Sequence, residues 1–435
     1  MMNSSLSYNA EAMYPNDWKL QRLNVVASLY GRIGWQGLTT DEYLDEGPWL
    51  VTGTDFVDGG INWDACVRIS DRRWREARQI QLQPGDLIIT KDGTVGKLAI
   101  VSNQPGKASL NSGLMRIVPR REDAYSTKYL YYVLNTDIFT EWFRNINAGV
   151  STIQHLFQKD FNHFIFPLPP LSEQKSIVSF LDRICGQSNR LLDCINRQIE
   201  LLESYRSSII HEVVTKGLDS HCAMKRSGVD WIGNIPQHWK LMRIKDVVRL
   251  QTGQTPPTDD QSYFHEEIDW LTPADIGPDS VLESSRYISR RAIKDGRAPF
   301  IPAGSVLLVC IGATAGKSSY LLVNGSCNQQ VTALIPFSIN GEYLSRVISA
   351  MSSALRDKAL YTTLPILNNQ FIGQQLIPMP PESEQKDISG VLKQRCAAID
   401  AVIDTKRRQL DVLKRRRQSL IYEYVTGKRR VGTKG

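Results

Sequence analysis

The sequence predicts an α+β protein in which one module is written twice: a mixed globular domain followed by a long helix, with the two helices packed as an antiparallel coiled coil about a pseudo-twofold axis. Three observations predict it. "PLPPLSEQKSIV" at Pro167 returns as "PMPPESEQKDIS" at Pro378. Other landmarks recur in the same order: "DWKLQRLNVV" at Asp17 with "HWKLMRIKDVV" at His238, "QPGDLIITKDGTVGKLAIV" at Gln83 with "IPAGSVLLVCIGATAGKSSYLLV" at Ile301, and "NSGLMRIVP" at Asn111 with "NQQVTALIP" at Asn328. After each proline motif, apolar residues fall at alternating steps of three and four. Two copies of so large a unit are a tandem duplication and not a solenoid.

Each globular part mixes strands and helices. "DLIIT…LAIV" and "SVLLVCI…SYLLV" are short β-branched runs bounded by Gly, Pro and Asn, as strands require. "YSTKYLYYVLNTDIFTEWF" and "NGEYLSRVISAMSSALRDKAL" carry helical spacing. The reading divides the chain into a first globular domain (1–166), a helical spacer (167–217), a linker (218–235), a second globular domain (236–377), a second spacer (378–427) and a basic tail (428–435).

Ser172 and Ser383 are expected to cap the helices, followed by Glu173 and Gln174 in one copy and Glu384 and Gln385 in the other. The first apolar stripe is Ile177, Leu181, Ile184, Leu191, Ile195, Ile199, Leu202, Ile209 and Val213. The second is Ile388, Leu392, Ile399, Val402, Leu410, Leu413, Leu420 and Tyr424. A mean step of about 3.5 is a coiled-coil seam, and about 38 residues would make each helix about 57 Å long. Such a stripe must be buried. Its nearest partner is the other copy, giving a rod with one globular domain towards each end; the rival is pairing between two chains, giving a dimer.

Composition narrows the function classes. A chain of 435 residues with 42% hydrophobic and 22% charged residues is a soluble protein of several domains. No apolar run approaches a membrane span, and "MMNSSLSYNAEAMYPNDW" lacks the regions of a signal peptide. Seven cysteines without CxxC spacing argue against disulfides and zinc, so a cytoplasmic, reducing setting is expected, with Cys185 and Cys396 as small buried thiols. The net charge of +7 is concentrated: from Lys406 onward there are eleven basic residues against two acids. Such a tail is a solvated helix face or a contact for nucleic acid.

"GATAGKS" at Gly312 is one residue too short between its first glycine and GK for a phosphate loop, and "GTVGKL" shares the defect. Both are expected to be strand-to-strand turns whose Lys97 and Lys317 can meet DNA phosphate. No cofactor fingerprint, methyltransferase tetrad, helicase motif or nuclease carboxylate cluster stands out, which favours a binding protein over an enzyme. "ISDRRWREAR" and "ISRRAIKDGR" set Arg72, Arg75, Arg78 and Arg291, Lys294, Arg297 at steps of three, one cationic face if helical, or a solvated face paired with Glu76 and Asp295. The polar loops differ between copies. "YGRIGWQGLTT" (Arg32, Trp35, Gln36) stands against "QTGQTPPTDDQSYF" (Thr255), and "NAGVSTIQHL" (Ser151, Thr152, Gln154) against "YTTLPILNNQ" (Thr363, Asn368). With Lys91 and Thr272, these are candidate DNA-reading groups; the alternative is drift of surface loops.

The repeated "P-L/M-P-P-x-S-E-Q-K", the "W-K-L-x-R" domain starts, "G-D-L-I-I-T…G-x-x-G-K" and "W-I-G-x-I-P-x-H-W" at Trp231 resemble the specificity subunit of type I restriction–modification systems, over residues 17 to 427. The resemblance implies two target-recognition domains, each reading half of a bipartite, asymmetric site in double-stranded DNA. It also implies helices that set the spacing and dock two modification subunits through Ser172, Glu173, Gln174, Leu181, Ile195, Leu202, Ser383, Glu384, Gln385, Leu392, Leu410 and Leu413. No cofactor, metal or catalysis is implied in this chain. S-adenosylmethionine for adenine methylation belongs to the modification subunit, ATP and Mg to a restriction subunit where one is present, and no membrane is involved. One departure is that the first domain lacks the "SGVDWIGNIPQHW" lead of the second. The alternatives are a nucleotide-binding enzyme using "GATAGKS" and a DNA-independent coiled-coil scaffold.

Overall fold

A computed structural model describes residues 14–32, 38–149, 154–277, 280–281, 283–357, 360–361 and 365–432. The chain forms two compact units, residues 1–195 with 408–435, and residues 196–407. Each combines a globular domain with part of both long helices.

In the first unit, a four-stranded antiparallel sheet runs in the order Ala27–Gly31, Leu114–Pro119, Leu87–Thr90, Leu98–Ile100. A three-stranded sheet places Leu44–Val51 between Val67–Arg68 and Ala108–Leu110. The second unit repeats the pattern with Val248–Thr252, Val331–Pro336, Val306–Val309, Ser318–Leu321, extended by Ser280–Val281. Its three-stranded sheet centres on Ile268–Leu271, between Tyr287–Ile288 and Gly325–Cys327. The strands are short, β-branched and buried, as the sequence leads one to expect.

In each unit the globular domain is closed where it begins. Lys19–Arg22 pairs antiparallel with Ile165–Leu168, and Lys240–Arg243 with Leu376–Met379. Two-stranded ribbons tolerate Pro167 and Pro378, which donate no ladder hydrogen bond. The helices Leu171–Lys216 and Glu382–Val425 leave directly from these ribbons.

The "SEQ" triplet ties helix to domain identically in both copies. The Gln174 amide donates to the Pro170 carbonyl at 3.0 Å and its Nε2 to that of Pro169 at 2.8 Å, while its Oε1 accepts from the Ser126 amide at 2.8 Å. Gln385 does the same with Pro381 at 3.0 Å, Pro380 at 2.9 Å and Asn340 at 2.8 Å. Glu173 accepts from Trp18 Nε1, and Glu384 from Trp239 Nε1. Tyr129 donates to the carbonyls of Pro167 and Val425, and Tyr343 to those of Pro378 and Val214. Burial pushes both phenols well above the ordinary tyrosine range. Ser172 and Ser383 are not the caps expected of them. The helices begin one residue earlier, at Leu171 and Glu382, so both hydroxyls sit exposed inside the first turn.

The helices pair within the chain, antiparallel in each unit. In the first, the Phe180 and Tyr424 rings lie 4.4 Å apart, and Arg417 donates to Asn189 at 2.6 Å. In the second, Arg206 meets Asp400 and Arg407 meets Glu203, each at 2.9 Å. They run 46 and 44 residues, longer than expected, or about 69 and 66 Å at 1.5 Å per residue. The seam is also displaced at one position per helix. Leu191 and Val402 are 46% and 45% exposed, while their neighbours Leu192 and Ile403 are buried.

Residues 218–235 are no linker. Met224–Arg226 pairs with Asn234–Pro236, Ile232 and Ile235 enter the second core, and His211 meets the Trp231 carbonyl at 2.6 Å. Among the described residues no helix is long and apolar enough to cross a membrane, and all seven cysteines are free thiols. Cys396 is buried and Cys185 half-buried, its thiol pushed up by burial.

Candidate nucleic-acid interface

The two glycine-rich turns occupy equivalent places. "GTVGK" joins Leu87–Thr90 to Leu98–Ile100, and "GATAGK" joins Val306–Val309 to Ser318–Leu321, so neither leads from strand to helix. Gly96 and Gly316 take φ of 92° and 89°, open to glycine at no steric cost. A phosphate loop points its amides at the ligand. Here they bond internally: Ala315 N–H to Gly312, Gly316 N–H to Val309, Lys317 N–H to Thr314. The Lys97 N–H likewise donates to the Thr90 hydroxyl at 2.9 Å. Only the side chains of Lys97 and Lys317, both exposed, face outward for an anion.

The arginine runs do not form one cationic face. The first helix covers Asp71–Glu76 alone; Ala77 leaves helical geometry, and Arg78 starts a separate 3-10 turn. The second covers Arg290–Lys294, and Gly296 at φ 68° turns the chain before Arg297. Arg72, Arg75, Arg78, Arg291, Lys294 and Arg297 are all exposed, but in each copy the third cation sits on a different piece of backbone from the first two. Arg291 pairs with Asp295 at 3.2 Å and donates to Ser262 at 2.9 Å; Arg72 lies 3.7 Å from Glu76. Arg75, Arg78, Lys97, Lys294, Arg297 and Lys317 make no ion pair among the described residues.

Three polar candidates are committed to the fold. Arg32 is buried, donating from Nε to the Leu110 carbonyl and from Nη2 to Ser109 Oγ, both at 3.0 Å, and burial lowers its guanidinium to about 10. Thr272 is buried, its amide and hydroxyl both donating to Asp275 at 2.8 and 2.9 Å. Asn368 caps the helix Asn369–Gln374 by accepting from the Phe371 amide at 2.8 Å. Gln154 is exposed, Lys91 half-buried, and the Thr255 hydroxyl donates to Gln329. Trp35, Gln36, Ser151, Thr152 and Thr363 lie outside the described residues.

The Thr272–Asp275 turn has a twin that sequence reading missed: Thr52 donates from amide and hydroxyl to Asp55 at 2.7 and 2.9 Å. "WLVTGTD" and "WLTPAD" carry the shared signal, a Thr-x-x-Asp turn following a Trp-Leu strand. Burial alone would raise the Asp275 carboxyl, but hydrogen bonds from Thr272 and Ser285 outweigh it and hold the group below its ordinary value. A lowered carboxylate contributes stability above its unfolded pKa and loses it as pH falls through the folded one. We expect Asp275→Asn to lower stability by about 0.5–1 kcal/mol at pH 7 after solvent screening. In urea titrations that deficit should begin to shrink near pH 3.8, the unfolded value, and vanish only as pH falls through the lower folded one.

Of the residues expected to dock a partner, Gln174, Leu181, Ile195, Gln385, Leu392 and Leu410 are buried within the chain, and Leu202 and Leu413 are half-buried. Outward-facing apolar positions lie elsewhere. Leu191 and Val412 are 46% and 56% exposed in the first unit, and Val402 and Leu201 are 45% and 55% exposed in the second. The repeat equates Leu191 with Val402 and Leu201 with Val412. Among the described residues no cluster of His, Cys, Asp and Glu could hold a metal ion.

The model of the family described as type I restriction modification DNA specificity domain matches residues 65–201 and 236–414. The chain is 24% identical over 445 residues to the type I restriction enzyme MjaVIII specificity subunit of Methanocaldococcus jannaschii, covering 96% of this chain and 94% of that one. It is 24% identical over 407 residues to the EcoBI specificity subunit of Escherichia coli, covering 89% and 81%. A chain solved in work on complex assembly and conformational transition of the type I R-M system superposes with a TM-score of 0.69 at 18% identity, over 96% of this chain and 99% of that one, and shares its fold. Each family match takes in most of a globular domain and runs on into the helix that leaves it, and the chain belongs to the type I restriction–modification DNA specificity domain family.

Proposed function

We propose that this chain is the non-catalytic DNA reader of a type I restriction–modification complex. Each globular domain reads one half of a split site in double-stranded DNA, and the paired helices carry two copies of a methylating subunit. The observation that carries this reading is the joint between domain and helix, repeated contact for contact through Trp18/Trp239, Glu173/Glu384, Gln174/Gln385 and Tyr129/Tyr343. One scaffold used twice with divergent polar loops suits two different half-sites read through base edges. The methylating partner supplies S-adenosylmethionine, and a restriction subunit, where present, supplies ATP-driven chemistry with Mg.

The helices serve as spacer and dock. A heptad inserted in each, after Ile195 and after Arg407, adds about 10 Å of helix, or about 3 base pairs at 3.4 Å per step. Long-read sequencing of methylated adenines should return a two-part motif whose gap lengthens while both halves stay the same; a continuous motif, or an unchanged gap, overturns the reading. The repeat-related exposed pairs, Leu191 with Val412 and Val402 with Leu201, suit a partner that arrives twice. Leu201→Arg with Val402→Arg should weaken capture of the methylating subunit at least tenfold, or about 1.4 kcal/mol, in sedimentation or calorimetric titration. The melting temperature should not change, because neither side chain is buried.

A further inference from the structure

A cavity of about 490 Å³ in the second unit sets Lys317 beside a second cation, Arg356, that the glycine turn alone does not supply. It lies between the Gly316–Lys317 turn, the helical stretch around Ser349–Arg356, and Ser207 on the first long helix. Lys317 and Arg356 are its two charged lining residues, and no carboxylate lines it. Neither makes an ion pair among the described residues, and both are exposed at the cavity. Ser349 and Ser353 add hydroxyls to the lining.

The arrangement is built. Ser352 Oγ donates to the Gly316 carbonyl at 2.7 Å, holding the turn against the helix that carries Arg356. A Cβ at Gly316 would lie 3.1 Å from the Ser352 carbonyl oxygen and 3.3 Å from Arg356 Cγ, and the φ of 89° there is one that side-chain-bearing residues rarely adopt, so any other residue would strain the turn. The first unit uses the same place differently. There Gly96 abuts Phe139, which packs with Trp142, Phe161 and Phe164 in a cluster of rings. Two like charges lining one cavity with no carboxylate among the lining residues repel each other, and an anion between them relieves that repulsion while the hydroxyls donate to it.

We propose that this cavity binds a phosphate group through the Lys317 and Arg356 cations and the serine hydroxyls. Arginine and hydroxyl donors suit phosphate oxygens, with lysine as a point charge. The phosphate comes from the DNA backbone or is free in solution; the first source rests on the DNA-reading function above, and the second does not.

The test uses the full-length chain in phosphate-free buffer, titrated calorimetrically with inorganic phosphate. We expect one saturable site, weakened at least about tenfold in Lys317→Ala/Arg356→Gln, with the melting temperature without phosphate unchanged. Arg249→Gln, an exposed cation of the same unit outside the cavity, should bind phosphate like the parent chain. A second arm measures affinity for a duplex carrying the methylated site. If the DNA backbone is the source, the double variant weakens duplex binding and flattens its salt dependence, and inorganic phosphate competes. If free phosphate is the source, the variant loses phosphate binding while duplex affinity holds. Absence of a saturable site in the parent chain, or its full retention in the double variant, overturns the proposal.

Discussion

Trp239→Ala should destabilise the second unit by about 3–5 kcal/mol, the range for truncating a fully buried tryptophan. The side chain is 0% exposed and sits in a core that joins the domain to both long helices, with Val213, Val214, Ile388 and Leu392 among its members. Its indole N–H also donates to Glu384 at 2.8 Å, so truncation opens a cavity and removes a partner of that carboxylate. Trp239→Phe keeps most of the ring and loses the hydrogen bond, and should cost about 1–3 kcal/mol. Trp18 is 7% exposed and stands at the edge of its core, so Trp18→Ala should fall below the Trp239 value. Urea midpoints at constant m distinguish these outcomes. Equal losses at Trp18 and Trp239 would show that the joint, and not the burial, sets the effect.

Arg116→Ala alone should cost about 3–5 kcal/mol, because it strands a buried carboxylate. Arg116 meets Asp86 through two hydrogen bonds, with side chains 14% and 8% exposed, and Asp86 also accepts from the Gln83 amide at 2.7 Å. The pair ties Arg116 on Leu114–Pro119 to the residue that leads into the adjacent strand Leu87–Thr90. The repeat contains its own control. The second copy has Ser305 and Ala333 at these places, both fully buried, in a sheet of the same strand order. The fold therefore accommodates a neutral version of this site. Asp86→Ser with Arg116→Ala should recover most of the single-variant loss, giving a coupling energy of about 2 kcal/mol or more in a double-mutant cycle. Additive losses would mean that the first unit depends on the charges themselves.

Much of the fold could be read in the chain because duplication printed it twice. Strands rich in β-branched residues, the helical stretches and the proline motifs kept their order in both copies, and each pattern checked the other. Features that depend on one residue of register were less legible. A hydroxyl after two prolines looks like a cap, yet Pro170 and Pro381 already supply the first accepting carbonyl, so Ser172 and Ser383 fall inside the helix. Leu191 and Leu192 are adjacent apolar residues, and a spacing rule cannot choose which one faces the partner helix. Arginines at steps of three read as one face only while the helix lasts, and both short helices end before the third cation. Of the candidate DNA-reading groups, the exposed lysines of the turns were legible from their glycines. The commitment of Arg32 was not, because its partners Leu110 and Ser109 lie 78 and 77 residues away and meet it only through packing. That of Thr272 was written locally, in the Thr-x-x-Asp spacing to Asp275.

The boundary between the units falls at Ile195 in the first long helix and at Arg407 in the second, so the chain passes between them twice without leaving helical structure. The second unit is one stretch of chain, and the first is two stretches on either side of it. Ile421 and Val425 belong to the first core, and the Val425 carbonyl accepts from Tyr129, 296 residues earlier. During synthesis at about 5–20 residues per second, domains ordinarily close in the order they emerge. Here the nested second unit has all its residues before the first does. The domain made first must wait for the second long helix, with apolar surface uncovered for tens of seconds, before it can complete its core.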